Sequence, residues 1–286
     1  MERRTFLRTA ALSTLAAASI SPLSFGQNGP LQRLRERRQG RKKIPIAVQV
    51  YSVRKAAEKD LADTLARIAK MGYDGVEFAS PDYFGKDIKD VRKMLDDNGL
   101  KCSGTHTPLV RFRNEFEKTA EIHKMLGTKF MIVPGGVSNA SVEQNKAIAD
   151  EFNKFAEQAK SFGLSIGYHA HGGDAKLIDG VPSWERFFDA TVPGVIHQMD
   201  LGNYQMGGGD PYKMIEKFKG RSKTVHLKEA GQGDPIIGDG EVDWKRALEL
   251  CETVGGVEWY VVEDEKTPDS FDRIEKCIVA LRGMGK

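Results

Sequence analysis

One stretch of the chain, Ser165-Ile166-Gly167-Tyr168-His169-Ala170-His171, joins a short apolar strand to two of the six histidines. Three later stretches also place an apolar run before a side chain that can bind metal, namely residues 196–200, 223–226 and 259–263. The four candidate ligands lie 31, 26 and 37 residues apart and are His169, Asp200, His226 and Glu263. Every strand of a parallel barrel delivers its last residues to the same rim, so these side chains are predicted to converge there.

From residue 44 onward, the chain repeats a strand followed by a helix. The first four predicted strands are residues 44–52, 75–78, 101–106 and 130–133, and their helices are residues 60–71, 88–98, 114–126 and 142–162. The four later strands are followed by helices near residues 184–190, 212–218, 244–254 and 270–282. Eight such units predict an α/β fold, a single-domain (β/α)8 TIM barrel. A doubly wound open sheet is the alternative, but its Gly-x-Gly-x-x-Gly does not follow the first strand.

The basic excess of this 286-residue chain lies outside the predicted barrel. Residues 1–43 hold ten Lys or Arg against two Asp or Glu, whereas residues 44–286 hold 33 against 38, a net charge of −5. A nucleic-acid-binding domain usually presents a basic face of its own. The composition therefore predicts no nucleic-acid partner.

The start of the chain resembles a twin-arginine export signal. Arg3 and Arg4 precede Phe-Leu and an apolar region over residues 9–25, which is short and rich in hydroxyl groups. A membrane anchor is the alternative, but such a region makes a poor span. The chain is thus predicted to consist of a removed signal (1–26), a basic linker (27–43) and a barrel (44–286), with a periplasmic location and no stable membrane span.

Six motifs resemble the xylose-isomerase-like TIM-barrel superfamily, in particular its sugar phosphate isomerase/epimerase branch. They occur in the family's order from about residue 44 to the C-terminus and are Val48-Gln49-Val50-Tyr51-Ser52, Gly72-Tyr73-Asp74-Gly75-Val76-Glu77-Phe78, Gly167-Tyr168-His169-Ala170-His171, Met199-Asp200-Leu201-Gly202-Asn203, His226-Leu227-Lys228-Glu229 and Gly238-Asp239-Gly240-Glu241-Val242-Asp243-Trp244. Many isomerases and epimerases of this group carry a glutamate at the end of strand five. The Gly-Tyr-His-x-His form resembles instead the branch that contains inosose dehydratases.

The resemblance implies one divalent metal at the strand ends, of which Mn²⁺, Co²⁺, Zn²⁺ and Mg²⁺ suit the ligands. Its ligands would be His169, Asp200, His226 and Glu263. Glu265 is the alternative to Glu263, because residues two apart on a strand share a face. A buried salt bridge with Lys or Arg is the competing interpretation of the two carboxylates, since a buried charge needs a partner.

Further side chains at the predicted rim are candidates for catalysis and substrate binding. The proton-transfer candidates are Glu263, Glu77, Lys228 and His171, and the substrate-binding candidates are Gln49, His106, His171 and Lys228. An ion pair between Glu77 and Lys228 across the rim is equally compatible with the sequence. Each histidine has an alternative role as a core residue bonded to the backbone.

These residues predict an isomerase or epimerase that acts through an enediolate on a non-phosphorylated keto-sugar or polyol ketone. The negative barrel and the absence of a phosphate-loop motif argue against a phosphorylated substrate. A dehydratase or lyase on a keto-sugar, keto-inositol or keto-glycoside is the alternative. An apurinic-site endonuclease or a non-catalytic sugar-binding barrel ranks lower. The partner is thus a small carbohydrate, and the sequence leaves the oligomeric state open, a homo-oligomer included.

The three cysteines, Cys102, Cys251 and Cys277, have no metal-finger spacing. They are predicted to be buried thiols, because free cysteine is among the most buried residue types. A disulfide between Cys251 and Cys277 is the alternative in an oxidising compartment.

Overall fold

Eight parallel strands close into a barrel in which each strand pairs with the next along the chain and the last pairs with the first. The computed structural model describes residues 43–79, 82–138 and 140–286. The strands are β1 (Ile46–Gln49), β2 (Gly75–Phe78), β3 (Lys101–His106), β4 (Phe130–Val133), β5 (Ser165–His169), β6 (Ile196–Asp200), β7 (Thr224–Leu227) and β8 (Trp259–Val262). This architecture confirms the predicted TIM barrel.

Ten α-helices follow the strands in the described part of the chain. They are α1 (Arg54–Lys59), α2 (Leu61–Lys70), α3 (Ile88–Asp97), α4 (Leu109–Leu126), α5 (Val142–Ser161), α6 (Ser183–Asp189), α7 (Leu201–Met206), α8 (Pro211–Lys217), α9 (Trp244–Leu250) and α10 (Phe271–Gly283). Local capping explains several of their ends. Ser141 and Gln144 form a reciprocal capping box at the start of α5, and Gly127, at φ 76°, ends α4 in the left-handed conformation.

The predictions were wrong for the end of β1, for the start of α4 and for one helix, α7. β1 ends at Gln49, whose side chain accepts a hydrogen bond from Tyr51 N and starts a 3-10 turn at Val50–Val53. Helix α4 begins at Leu109 instead of residue 114, with a break in its dihedral angles at Glu115. Helix α7 was not predicted at all, because it starts directly after β6, with the Asp200 side chain as its N-cap.

The inside of the barrel changes from apolar to polar along its axis. Phe130, Ile132 and Ile196 form a buried cluster of their own, with Trp259 packed against it. Gly167 leaves room for this plug, because a Cβ there would lie 2.5 Å from Ile196 Cγ1. The other core residues pack the outer face of the barrel against the helices. The polar ends of the strands therefore meet above a closed apolar base.

Several other predictions concern residues away from the barrel interior. Cys102, Cys251 and Cys277 are buried free thiols, so the alternative Cys251–Cys277 disulfide is not formed. No helix in the described ranges is both long and apolar enough to cross a membrane. The predicted signal (1–26) lies outside the described residues, as does the predicted linker (27–43) apart from Lys43.

Candidate metal centre

Four strand ends bring their candidate ligands into one buried cluster. His169 ends β5, Asp200 ends β6, His226 lies in β7 and Glu263 directly follows β8. One ligand atom from each residue lies within 4.8 Å of the others. All four side chains are buried, with exposed fractions between 0% and 6%. Topology thus brings together residues that are far apart in sequence, because parallel strands share one C-terminal rim.

Asp200 provides the clearest sign that this cluster holds a cation. Its Oδ1 accepts a hydrogen bond from Asn203 N at 2.8 Å, whereas its buried Oδ2 has no hydrogen-bond partner among the described residues. That Oδ2 lies 3.9 Å from both His169 Nε2 and His226 Nδ1. Burial, reinforced by Glu263, raises the pKa of Asp200 to about 7. A metal ion would supply the positive charge that this oxygen lacks.

His226 lies between two carboxylates. Its Nε2 is 2.6 Å from Glu77 Oε1, and its Nδ1 is 2.9 Å from Glu263 Oε2. Burial opposes protonation, but these carboxylates outweigh it and raise the pKa of His226 to about 10. Although burial favours their neutral forms, the neighbouring imidazoles hold the pKa of Glu77 (His106 and His226) and that of Glu263 (chiefly His226) well below the usual range. Without metal, the cluster therefore carries a proton on His226 Nδ1.

Glu77 lies beneath the ligands, fully buried. Its carboxylate accepts hydrogen bonds from Gln49 Nε2 at 2.9 Å and Gln198 Nε2 at 2.7 Å, besides His226. His106 Nε2 lies 3.1 Å from Glu77 Oε1 and 2.6 Å from Gln198 Oε1. Gln49 and His106, predicted to bind substrate, thus take part in a hydrogen-bonded layer under the candidate metal ligands.

Gln198 and Thr224 belong to this layer and were missed in the sequence. Gln198 Nε2 donates to Thr224 Oγ1 at 2.9 Å. The signal that identifies them is strand alternation, since residues two apart point to the same face. Gln198 precedes Asp200 by two residues, and Thr224 precedes His226 by two residues. The polar residues one layer below Asp200 and His226 can therefore be found from sequence once these two candidate ligands are known.

Lys228, Glu265 and His171 lie at the rim. Lys228 Nζ is 2.7 Å from Glu265 Oε2 and 3.9 Å from Glu263 Oε2, so the alternative ion pair with Glu77 is not formed. Burial disfavours the charged lysine, but Asp200, Glu263 and Glu265 raise the pKa of Lys228 above its usual range. His171 lies just beyond β5, with its ring centroid 4.7 Å from that of His169.

The donor set of the cluster fits a divalent metal. Two imidazoles and two carboxylates are ligands typical of zinc, manganese and cobalt sites. His106, His169 and His226 form an overlapping second group within 4.8 Å. That group offers no carboxylate, and His106 Nε2 already faces Gln198 and Glu77. The group that contains Asp200 is therefore the better site for a cation.

The family of the chain follows from a comparison with known protein families. A model described as "Xylose isomerase-like TIM barrel" matches residues 65–280. The chain belongs to this family. The resemblance predicted from the six motifs is thereby confirmed.

Relatives of this xylose isomerase-like barrel are enzymes. An inosose dehydratase from Lacticaseibacillus casei is 23% identical over 254 residues, covering 74% of this chain and 84% of that protein. A solved sugar phosphate isomerase/epimerase from Parabacteroides distasonis ATCC 8503 is 27% identical with a TM-score of 0.73, covering 84% of this chain and 94% of that one. The IOLI protein, solved with a bound zinc atom, shares the fold at 16% identity and a TM-score of 0.66, covering 83% and 98%.

Metal affinity of this xylose isomerase-like barrel should increase with pH, because binding displaces protons from the ligands. His226 loses its Nδ1 proton with a pKa of about 10, and Asp200 loses its proton with a pKa of about 7. We expect the affinity for Mn²⁺ to rise by about tenfold per pH unit between pH 7.5 and 9, and more steeply below pH 7. Titration calorimetry in buffers of different ionisation enthalpy measures both affinity and proton release. A pH-independent affinity above pH 7.5 would contradict this assignment.

Proposed function

We propose that this protein is a divalent-metal-dependent isomerase or epimerase acting on a non-phosphorylated keto-sugar or polyol ketone. The observation that carries the proposal is the buried group of His169, Asp200, His226 and Glu263, in which Asp200 Oδ2 has no hydrogen-bond partner among the described residues. The named activities of the relatives, a dehydratase and a sugar phosphate isomerase/epimerase, support chemistry next to a carbonyl group.

These four side chains would hold the ion, which is one of Mn²⁺, Co²⁺, Zn²⁺ or Mg²⁺. When bound, such an ion supplies Lewis acidity that polarises a ketone oxygen and acidifies the neighbouring C–H bond. The cluster lies at the C-terminal rim of the barrel, above the apolar plug of Phe130, Ile132 and Ile196. A small polyol can therefore approach from one side only.

His171 is the best placed of the four proton-transfer candidates. Glu77 is enclosed under the ligands, and His226 holds the pKa of Glu263 low, which makes Glu263 a weak base. Burial lowers the pKa of His171, so its ring is neutral at physiological pH and able to accept a proton. It remains partly exposed beside His169. We assign proton removal from the carbon next to the ketone to this imidazole.

Lys228 supplies a fixed positive charge at the rim. Its three neighbouring carboxylates keep it protonated, which suits an electrostatic role better than that of a base. The ammonium group can donate to a substrate oxygen on which negative charge develops. Return of the proton to the other carbon would give isomerisation, and return to the opposite face would give epimerisation.

A dehydratase is the second candidate. The inosose dehydratase relatives and the histidine at the end of β5 favour it. Both reactions begin with the same proton removal, and loss of a β-hydroxyl group instead of reprotonation would give the lyase outcome. A three-metal endonuclease would need ligands beyond the one connected cluster found within the described residues.

The experiment that tests the proposal is proton exchange in heavy water. Purified protein with Mn²⁺ should incorporate deuterium into a keto-sugar or keto-inositol at the carbon next to the ketone, as followed by NMR. The same spectra separate an isomer or epimer from a dehydrated product. His171→Gln should retain the metal but lose exchange. If no member of a broad ketose and keto-inositol panel exchanges with the metal-loaded wild type, the proposal is wrong.

Free sugars should react in preference to their phosphates. Cations near the ends of β7 and β8 are already paired, namely Lys228 with Glu265, Lys266 with Asp234, and Arg273 with Asp264. A phosphate dianion would have to displace these carboxylates and approach a negatively charged barrel. We expect kcat/KM for the free sugar to exceed that for the matching phosphate by about tenfold or more, in line with the loss of one charged interaction. A clear preference for phosphates would refute this claim and leave the metal site standing.

We also propose that the protein is exported, and that the twin-arginine signal at the start of the chain directs this export. Replacing both Arg3 and Arg4 by Lys should keep the protein in the cytoplasm, because the export machinery recognises the pair of arginines. Fractionation of cells that produce wild type and this double variant measures the effect. Replacing Arg37 and Arg38 in the same way provides a matched control that should be exported normally. Unaltered export of the Arg3 and Arg4 variant would exclude the twin-arginine route.

A further inference from the structure

Four side-chain nitrogens surround the carboxylate of Glu77 beneath the proposed metal ligands. Gln49 Nε2, Gln198 Nε2 and His226 Nε2 lie 2.9, 2.7 and 2.6 Å from its oxygens, and His106 Nε2 lies 3.1 Å away. An ionised carboxylate only accepts hydrogen bonds, so Gln49, Gln198 and His226 each direct an N–H group at Glu77. His106 lies beside the carboxylate but makes its hydrogen bond to Gln198 Oε1 at 2.6 Å. The carboxylate thus dictates how its neighbours are oriented.

Gln198 passes this orientation on to His169. Because the Gln198 NH₂ group donates to Glu77 and to Thr224 Oγ1, its carbonyl oxygen must face the opposite side. That Oε1 lies 3.0 Å from His169 Nδ1 and 2.6 Å from His106 Nε2. An amide oxygen cannot donate, so both imidazole nitrogens must. His169 therefore carries its hydrogen on Nδ1.

In both candidate histidine ligands, the hydrogen bond made below the cluster leaves the other ring nitrogen directed toward the cluster. With Nδ1 protonated, His169 presents the lone pair of Nε2, which lies 3.9 Å from Asp200 Oδ2. His226 donates from Nε2 to Glu77, so Nδ1 is its nitrogen on the side of the cluster, also 3.9 Å from Asp200 Oδ2. A metal bound there would take the place of the proton that Nδ1 shares with Glu263 in the metal-free protein. The two histidines would therefore hold a metal through different ring nitrogens, and the Glu77 carboxylate determines which nitrogen each presents.

We propose that Glu77 and Gln198 are positioning residues that fix the tautomer and ring orientation of the two metal-ligating histidines. Glu77 acts directly on His226 and, through the Gln198 amide, on His169. The inference rests on the proposed metal site and adds the residues that prepare it. Partners of this kind orient ligands and raise their basicity in metal sites generally.

We call the hydrogen bonds from Glu77 through Gln198 to His169 the relay. The backbone around Glu77 leaves room for it. A Cβ on Gly104 of β3 would lie 2.7 Å from Glu77 Oε2, so only glycine fits beside the carboxylate in this position. The register between β2 and β3 shifts at Glu77, opposite Gly104. A buried charge of purely structural purpose could be replaced by apolar packing without loss of stability. Glu77 contacts the His226 imidazole directly and orients His169 through Gln198, and both interactions depend on its charged form.

The first test reads the tautomer in metal-free wild type. NMR of the protein labelled with ¹⁵N-histidine distinguishes protonated from unprotonated ring nitrogens, and the His169→Gln variant assigns the His169 signals. We expect His169 to be neutral with its hydrogen on Nδ1. A hydrogen on Nε2 would overturn the proposal. This measurement needs no bound metal, so its outcome is independent of whether the proposed function is correct.

The second test measures metal binding. Gln198→Leu keeps the volume of the side chain but removes the acceptor of His169, and we expect its Co²⁺ affinity to fall by about 10–100-fold with an altered Co²⁺ absorption spectrum. Its ¹⁵N spectrum should also lose the single Nδ1–H tautomer. Thr224→Val is the matched control, because it removes only the second acceptor of the Gln198 amide, and should bind Co²⁺ like wild type.

Each outcome of the second test has a defined meaning. Wild-type affinity and an unchanged His169 tautomer in folded Gln198→Leu would overturn the relay. If that variant does not fold, Gln198→Met provides the same comparison with a more flexible side chain. If wild type itself binds no Co²⁺, the proposed function fails, whereas the tautomer measurement still reports on the relay.

Discussion

Replacing Asp200 with Asn should abolish metal binding and activity while the barrel stays folded. Asp200 Oδ2 is a buried oxygen of the cluster that has no hydrogen-bond partner among the described residues. Its loss removes a charged ligand directly, so the fall in metal affinity should exceed the roughly 10–100-fold effect typical of an outer partner. Metal content by mass spectrometry and proton exchange in heavy water measure the two losses. Glu265→Gln is the matched control, since Glu265 lies outside the ligand group and is 43% exposed.

The same change should stabilise the metal-free protein above neutral pH. The pKa of Asp200 is raised from 3.8 to about 7 in the folded state, so folding favours the protonated form. The free energy of unfolding contributed by this group is therefore present below pH 4 and is lost as the pH rises to about 7. Asn does not ionise and avoids this loss. At pH 8, metal-free Asp200→Asn should unfold at a higher urea concentration than metal-free wild type, and the reverse order would contradict the assignment.

Replacing His226 with Ala should abolish metal binding and also destabilise the barrel. The imidazole lies 2.6 Å from Glu77 Oε1 and 2.9 Å from Glu263 Oε2. Without it, two buried carboxylates face each other without the cation between them. Removing one partner of a buried ion pair typically costs about 3–5 kcal/mol. Urea unfolding of the metal-free proteins at pH 7 measures this free energy.

A pH series separates the charge of His226 from its packing. The folded pKa of about 10 exceeds the usual 6.5, so the stabilisation is complete below pH 6.5 and is lost as the pH rises toward 10. The difference between wild type and His226→Ala should shrink over that range. His171→Ala, at the partly exposed rim, should remain close to wild type throughout. Equal stability of wild type and His226→Ala at pH 7 would show that the carboxylates do not depend on this imidazole.

Asp200 and His226 look equivalent in the sequence, because each is a polar residue at the end of an apolar strand. The structure distinguishes their effects on stability. Asp200 Oδ2 meets only other ligand atoms, whereas both nitrogens of His226 already contact carboxylates. The carboxylate that makes the difference is Glu77, which lies 149 residues before His226 in the chain. Sequence spacing contains no information on such a pair.

The alternation of strand and helix predicted the barrel, and with it the convergence of His169, Asp200, His226 and Glu263. Those predictions succeed because the handedness and closure of a parallel barrel leave one rim for all strand ends. The sequence also placed Glu77 at the end of β2, but the depth of that side chain depends on Gly104 in the neighbouring strand and on the shifted register there. It was accordingly predicted at the rim and lies beneath the ligands.

Local periodicity and the order of the strands are thus enough to predict the architecture and the candidate ligands. The hydrogen bonds across the barrel, from Gln198 to His169 and from His226 to Glu77, become visible only in the folded structure. These contacts depend on strand register and on the small volume left by neighbouring residues. Both are collective properties of packing, so no single segment of the chain encodes them.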